Sequence, residues 1–290
     1  MPKIKKKVFW ESARGHFFSK KYPLAINLNT MLKILVLGDV CGAPGTEYLL
    51  HGRRLARFRG HIGADFVIVN GENSAEGNGI LPTSADALFE AGADVITGGN
   101  HTWQRREIYS YFDSHPNLIR PANYPDICPG EGYVIADVKG YRVLVANLCG
   151  NTFMEPPVAS SFDTADKILR ENEGRYDFAM FDVHAEATSE KQALGWYLCD
   201  RVAALWGTHT HVQTNDARVL EGKCGYITDV GMCGSKDGVL GIDRNIVIRR
   251  FREKLPIRNA SATGSESASG AVFTIDTKTF RCVSCEAIEF

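Results

Sequence analysis

Five apolar runs in this 290-residue chain end in the same way. "KILVLGD" (33–39) stops at Asp39, "DFVIVNGEN" (65–73) at Glu72 and Asn73, and "ADVITGGNH" (93–101) at Asn100 and His101. "YDFAMFDVHAE" (176–186) runs up to His184, and "ALWGTHTHV" (204–212) up to His209 and His211. Apolar runs of this length, too short for helices and bounded by glycine or polar residues, read as buried strands. The crevice beyond the carboxyl ends of strands is where α/β proteins assemble their sites. Taken singly, each ending has a plainer reading: a lone strand-end His is more often a hydrogen-bonded structural residue, and a lone Gly-Asp or Gly-Asn a turn. Five independent accidents would have included Ser, Lys or Thr, and none of the five does.

Helical stretches separate the runs. "GTEYLLHGRRLARFRG" reads as a helix, "TSADALFEAG" (83–92) as a second with Thr83 or Ser84 as N-cap and Gly92 as its end, and "WQRREIYSYFD" (103–113) as a third. "GYVIADVKGYRVLVANL" (132–148) places Lys-Gly between two apolar arms and predicts a β-hairpin. "ADKILREN" is helical, and "TSEKQALGWYLCDRVAAL" (188–205) opens with a capping signature, Thr188 or Ser189 followed by glutamate. The C-terminal third is strand-rich, and "NASATGSESASG" (259–270) reads as a mobile polar loop. No internal repeat or linker divides the chain. The expected architecture is one α/β domain over residues 31–290, a mixed sheet or pair of sheets with helices outside. Residues 1–30 precede the globular pattern and read as a flexible basic extension, or as an extended start with Met31 the functional initiator.

A net charge of −1 predicts no general attraction to nucleic acid or membrane, although "RRLARFR" (53–59) offers a local basic face, which is more often simply solvated. No run reaches the ~18 apolar residues of a membrane span. Eight cysteines lie mostly in apolar stretches and no secretory pattern precedes them, so free thiols in a cytoplasmic protein are expected. "CVSC" (282–285) has no second pair and reads as a strand carrying two thiols.

The strand-end groups are all metal ligands. Imidazole suits zinc, iron, nickel or copper, and carboxylate and amide oxygens suit manganese or magnesium. They outnumber the four ligands of a structural zinc. Two cations bridged by one carboxylate, with Glu72 as the natural bridge, would use them all. His209 and His211, one residue apart, would share one face of an extended segment. Cys41, two residues past Asp39, is either a soft ligand or part of the next turn. His16, His51, His61 and His115 lack the strand-end pattern and read as surface residues.

These residues also stand in the order shown by the calcineurin-like metallophosphoesterases: GD, an acidic bridge, GNH, a lone His, and G-x-H-x-H. The chain departs from the usual pattern twice. "GDVCG" carries Cys41 in place of a histidine, and "NGENSAEGNG" replaces the second aspartate motif. Both departures resemble the YmdB-like branch of that superfamily, as do "GDVCGAPG", "RPANYP", "HAEATSEKQALGWYLCDRVAALWGTHTHVQT" and "YITDVGMCG". The resemblance covers most of residues 31–290. It implies an α/β sandwich of two packed β-sheets with flanking helices. One metal would be held by Asp39, Glu72, Asn73 and His211, and a second by Glu72, Asn100, His184 and His209. His101 matches the family's proton donor. Iron or manganese, a cyclic nucleotide or other small phosphodiester as substrate, and self-association into a homo-oligomer are implied as well.

Such a pair of ions, ~3.5–4 Å apart, would supply hydroxide near neutral pH for in-line attack on phosphorus, with His101 protonating the leaving oxygen. A phosphomonoesterase or nuclease could use the same core, with "SAEGNGI" (74–80) and "GNTFMEPP" (150–157) expected at the pocket's border. The alternative of another class is a metal-dependent nucleotide- or RNA-sensing regulator with little turnover.

Overall fold

A computed structural model describes residues 30–290, so the basic extension lies, except for Thr30, outside the described residues. The chain enters through β1 (Met31–Leu37) and the short β2 (Asp39–Val40), crosses α1 (Gly42–Leu50) and α2 (Arg54–Ile62), and returns in β3 (Phe66–Asn70). After α3 (Pro82–Ala91) and β4 (Val95–Thr97) come β5 (Tyr133–Val138) and β6 (Tyr141–Cys149). The alternation continues through α4 (Ser161–Glu171), β7 (Phe178–His184), α5 (Thr188–Leu198) and β8 (Ala204–Thr208). It closes with β9 (Arg218–Leu220), β10 (Cys224–Ile227), β11 (Met232–Ser235), α6 (Arg244–Glu253), β12 (Glu266–Asp276) and β13 (Arg281–Glu289).

The strands form two sheets. One runs β2–β11–β12–β1–β3–β4 with β13 also paired to β12, and the other runs β5–β6–β7–β8–β10–β9. β1, β3 and β4 are mutually parallel, as are β6, β7, β8 and β10. Because strand side chains alternate between faces, each strand serves two cores. On β1, Ile34 and Val36 join Val145, Met180 and Trp206 of the other sheet in one apolar cluster. Leu35 and Leu37 instead join Leu49, Leu55 and Leu88 of α1–α3. On β7, Met180 points inward, while Phe181 and Val183 share a cluster with Ile168 of α4 and Leu194 and Leu198 of α5. The result is a two-sheet sandwich with helices on its outer faces. The parallel strands of each sheet end on one rim, which is what brings the sequence-distant endings together.

Local structure departs from the sequence reading where side chains find partners that propensity does not see. The first expected helix is broken by Gly52 (φ 60°) and Arg53 (φ 54°), whose left-handed backbone separates α1 from α2. Residues 103–113 form no α-helix but two short 3₁₀ turns, Arg106–Ile108 and Phe112–Ser114. Arg105 is extended there (φ −113°, ψ 115°), and its guanidinium donates to the carbonyls of Asn78 (3.0 Å) and Glu76, which fixes the chain outside a helical first turn. α3 begins at Pro82, with Leu81 as its N-cap and Ser84 Oγ accepting from Leu81 N (3.0 Å). α5 has Ala187 as N-cap with no side-chain cap, because Glu190 instead accepts from the backbone N–H of Asn151 (3.0 Å) and Thr152 (3.0 Å). Nor are residues 259–270 a polar loop throughout: β12 starts at Glu266, and Ala262 is buried. The hairpin turn at Lys139 (φ 54°) and Gly140 (φ 89°) is as expected, and "CVSC" lies within β13.

Candidate active site

All seven expected ligands and His101 arrive at this common rim. Asp39 opens β2, just beyond β1, Glu72 and Asn73 follow β3, Asn100 and His101 follow β4, His184 ends β7, and His209 and His211 follow β8. His209 (φ 94°) and His211 (φ 62°) are not on an extended strand, as expected, but in left-handed backbone after Thr208. They consequently point to different partners. His209 Nδ1 lies 3.1 Å from His184 Nε2, while His211 Nε2 lies 3.5 Å from Asp39 Oδ1 and 3.4 Å from Asn73 Nδ2.

Glu72 sits at the middle of the cluster and is fully buried. Its Oε2 is 3.1 Å from His184 Nε2 and accepts the His101 backbone N–H at 3.0 Å; its Oε1 accepts from Asn73 Nδ2 at 2.8 Å and lies 3.2 Å from His101 Nδ1. Asn100 Oδ1 is 3.1 Å from the same His184 Nε2. Ligand atoms of Glu72, His184 and His209 all lie within 4.8 Å of one another.

A buried network holds these groups in place. His184 Nδ1 is 2.9 Å from Thr208 Oγ1, which donates to Asp182 Oδ1 at 2.8 Å. Asp182 also accepts from Thr97 Oγ1 and from Asn70 Nδ2 (3.1 Å), and burial raises its carboxyl to about 6 despite those donors. This arrangement turns Nε2 of His184 toward Glu72. Thr208→Val removes the contact that orients the ring and is expected to weaken metal affinity by roughly tenfold, measured by competition with a chromogenic chelator; unchanged affinity would show the ring to be held by packing alone. The 209–211 loop is tied down by Asp229, which accepts from Thr210 N (3.2 Å) and Oγ1 (2.7 Å) and pairs with the buried Lys191 Nζ at 2.8 Å. The sequence reading missed both supports, because a lysine in α5 and an aspartate just past β10 look locally like surface charges.

Three observations show that the residues fit metal ions. Asp39 Oδ1 is fully buried without a hydrogen-bond partner, a state that costs on the order of 1–3 kcal/mol and that cation coordination would relieve. Gly99 faces the cluster so closely that a Cβ there would lie 2.1 Å from Glu72 Oε2 and 2.4 Å from His184 Nε2. The donors are imidazole nitrogens and carboxylate and amide oxygens, a set suited to transition metals. Charge agrees. Burial pushes the Asp39 and Glu72 carboxyls up, but His211 and His184 outweigh it and hold Asp39 low, and His184 and His101 hold Glu72 well below the usual range. Burial and the nearby His184 push His209 down to about 4, leaving it neutral, with Glu186 Oε2 3.2 Å from its Nε2. Glu186 is a further residue the sequence reading missed.

His101 and the histidine pair open on a cavity of about 340 Å³. Its walls include Ala75, Gly77 and Asn78 from the expected 74–80 segment. The 150–157 segment, expected at the same border, is absent from the lining; Glu190 holds Asn151 and Thr152 elsewhere. Its place is taken by Leu240, Ile242 and Ser261, which no motif announced. Cys41 also lines the cavity, with Sγ 3.6 Å from His211 Nδ1. His51 and His61 are exposed as expected, and His115 stacks on Tyr111, the ring centroids 3.6 Å apart.

The family model described as YmdB-like protein matches residues 35–288. The chain belongs to the YmdB-like family. This YmdB-like chain is 44% identical over 259 residues, 89% of its own length and 96% of the relative's, to the 2′,3′-cyclic-nucleotide 2′-phosphodiesterase of Bacillus subtilis. Among solved structures, a hypothetical protein from Thermus thermophilus superposes with a TM-score of 0.81 at 36% identity, covering 89% of this chain and 99% of that one. A novel phosphatase from Mycoplasma pneumoniae gives a TM-score of 0.84 at 30% identity, covering 90% and 93%. The YmdB-like chain thus has the calcineurin-like metallophosphoesterase fold and is a phosphodiesterase that depends on metal. No helix among the described residues is long and apolar enough to cross a membrane.

Proposed function

We propose that this protein hydrolyses 2′,3′-cyclic nucleotides to nucleoside 3′-monophosphates, using two metal ions, with iron and manganese the best matched to its nitrogen and oxygen donors. The observation that carries the reading is the convergence of the seven ligand-type side chains beside His101, with Glu72, Asn73, His209, His211 and His101 itself at the wall of a cavity of nucleotide size. The Bacillus subtilis relative's name supplies the substrate class. Asp39, Glu72, Asn73 and His211 would hold one ion, and Glu72, Asn100, His184 and His209 the other. When bound, the ions supply a nucleophilic water-derived oxygen near neutral pH and neutralise charge on the phosphoryl group.

The chain's own residues do the rest. His101 is pinned through Nδ1, 3.1 Å from Asn73 Oδ1 and 3.2 Å from Glu72 Oε1, so its Nε2 is the nitrogen free for substrate. That nitrogen gives a proton to the 2′-oxygen as its bond to phosphorus breaks, while an oxygen from water joins the phosphorus. Glu72 and Asn73 thereby hold the donor as well as metal. Gly99 leaves the space that the cluster needs, and Asn78 and Ser261 line the cavity. The test is direct: the manganese- or iron-loaded protein, given 2′,3′-cyclic AMP, should release 3′-AMP and leave 3′,5′-cyclic AMP nearly untouched. Binding without product release would favour the sensor reading instead.

A further inference from the structure

The catalytic cavity does not end at a closed wall. Past Gly77, Asn78 and Asn259, which it shares, lies a second depression of about 270 Å³ lined by Arg105 and Arg258. The segment leading up to Arg258 is strongly basic. From Asp243 to Arg258 it carries six cationic side chains (Arg244, Arg249, Arg250, Arg252, Lys254 and Arg258) against two acids, in a protein whose overall net charge is −1. Neither acid offsets the patch fully. Asp243 accepts from the N–H groups of Asn245 (2.8 Å) and Ile246 (3.2 Å) as the cap of α6, and Glu253 is paired with Arg249 at 3.2 Å. Among the described residues, Arg252 and Arg258 have no hydrogen-bond or ion-pair partner.

The other wall is just as specific. Arg105 is fixed by the carbonyls of Asn78 and Glu76, and Glu76, which also lines the depression, accepts from Ser261 N (3.1 Å) and Oγ (2.8 Å), so one carboxylate faces the two guanidinium groups there. On the exposed side of α6, Phe251 is 69% exposed with Lys254 Nζ 5.7 Å from its ring centroid. Arg250 donates to Ile257 O (3.0 Å) and to Asn259 Oδ1, which ties α6 to the edge of the depression. Unpaired guanidinium groups and an exposed aromatic on a helix held at the edge of such a cavity match the recognition of single-stranded nucleic acid: cations track phosphates while bases stack. A second copy of this chain laid on the same helix would set the six cations against their own images.

Resting on the cyclic-nucleotide reading, we infer that the substrate extends beyond a mononucleotide: the protein opens the 2′,3′-cyclic phosphate at the 3′ end of single-stranded RNA. The terminal nucleotide fills the catalytic cavity, and the preceding phosphates pass over Arg105 and Arg258 toward Arg252 and Phe251. The step is the same hydrolysis. Water adds oxygen to phosphorus, the bond to the 2′-oxygen breaks, and that oxygen leaves protonated, giving an RNA 3′-phosphate.

The test compares a hexaribonucleotide ending in a 2′,3′-cyclic phosphate with the cyclic mononucleotide, and measures binding of the 3′-phosphate hexamer by fluorescence anisotropy. The hexamer is expected to show at least a tenfold higher kcat/KM. The hexamer's affinity in the anisotropy assay should fall by about eighteenfold between 50 and 200 mM salt, as for roughly three neutralised phosphates on a single strand. The Arg252→Glu, Arg258→Glu double variant should lose the advantage and the anisotropy signal while hydrolysing the mononucleotide as before. Equal kcat/KM for both substrates, a double variant that keeps the advantage, or binding to anionic vesicles with no response to RNA would each overturn the proposal. If neither substrate is turned over, the hydrolase reading itself has failed. Anisotropy then decides the groove alone: RNA binding lost on charge reversal keeps it, and no binding removes it.

Discussion

His101→Asn lowers kcat on a 2′,3′-cyclic nucleotide by about a hundredfold or more, the usual cost of losing a general acid, and leaves the metal content unchanged. The geometry makes both halves of that expectation specific. Nδ1 of His101 is committed to Glu72 Oε1 and Asn73 Oδ1, and the backbone N–H of residue 101 donates to Glu72 Oε2 whatever the side chain. An asparagine can keep a hydrogen bond to Glu72 from nearly the same place, but it has no proton to give at the far end of a ring. The loss should therefore track the leaving group. A ribose 2′-oxygen departs as a strongly basic alkoxide and needs the proton, whereas p-nitrophenolate hardly does. On bis(p-nitrophenyl) phosphate the variant should retain most of its activity, and the ratio between the two substrates is the decisive reading. An equal fall on both would mean that His101 acts by holding Glu72 and Asn73 rather than as the acid, and metal analysis of the variant would then show depleted ions.

Most of this site was legible because its residues obey a rule of strand geometry. A strand buried on both faces carries a polar side chain most readily at or past its end, so the endings of β1, β3, β4, β7 and β8 were where Asp39, Glu72, Asn100, His184 and His209 stood out. The buried supports were hidden for the opposite reason. Lys191, Asp182 and Asp229 sit inside elements or just beyond them, where pattern counts a charge as surface; only the tertiary pairing of Lys191 with Asp229, and of Asp182 with Thr97 and Thr208, makes their burial affordable.

The misreadings have the same origin. Glu190 looked like part of a helix cap until the 150–152 backbone claimed it, and Arg105 looked helical until the carbonyls of Glu76 and Asn78 did. Residues 259–261 looked featureless because serine and alanine carry no pattern, yet Ser261 is the partner of Glu76 at the cavity's edge. In each case a long-range hydrogen bond overrode a local signal, and no window of neighbouring residues contains that information.

Removing metal should destabilise the folded protein, and Glu72→Gln should abolish the difference. Two buried carboxylates and four imidazoles converge here, with Asp39 Oδ1 lacking any hydrogen bond, so the cluster is costly without a cation to balance it. An ion that binds only the folded chain stabilises it by about 4 kcal/mol when present at a thousand times its Kd. For a domain of this size that is a rise of roughly 10 °C in Tm. Scanning calorimetry of the manganese-loaded protein against the protein treated with dipicolinate should show the gap. Glu72→Gln takes away the carboxylate that His184, His101 and Asn73 all contact and that both ion positions would share. Its Tm should be almost the same with and without manganese, and near that of the chelated wild type, since a glutamine of equal size leaves the packing of β3 and β7 undisturbed. Asp39→Asn, which alters one ion position only, should keep part of the gap. That ordering separates a shared bridge from two independent ligands: if Glu72→Gln retained as much of the metal-dependent stabilisation as Asp39→Asn, Glu72 would not bridge. A wild type whose Tm ignored both manganese and chelator would remove the metal centre itself.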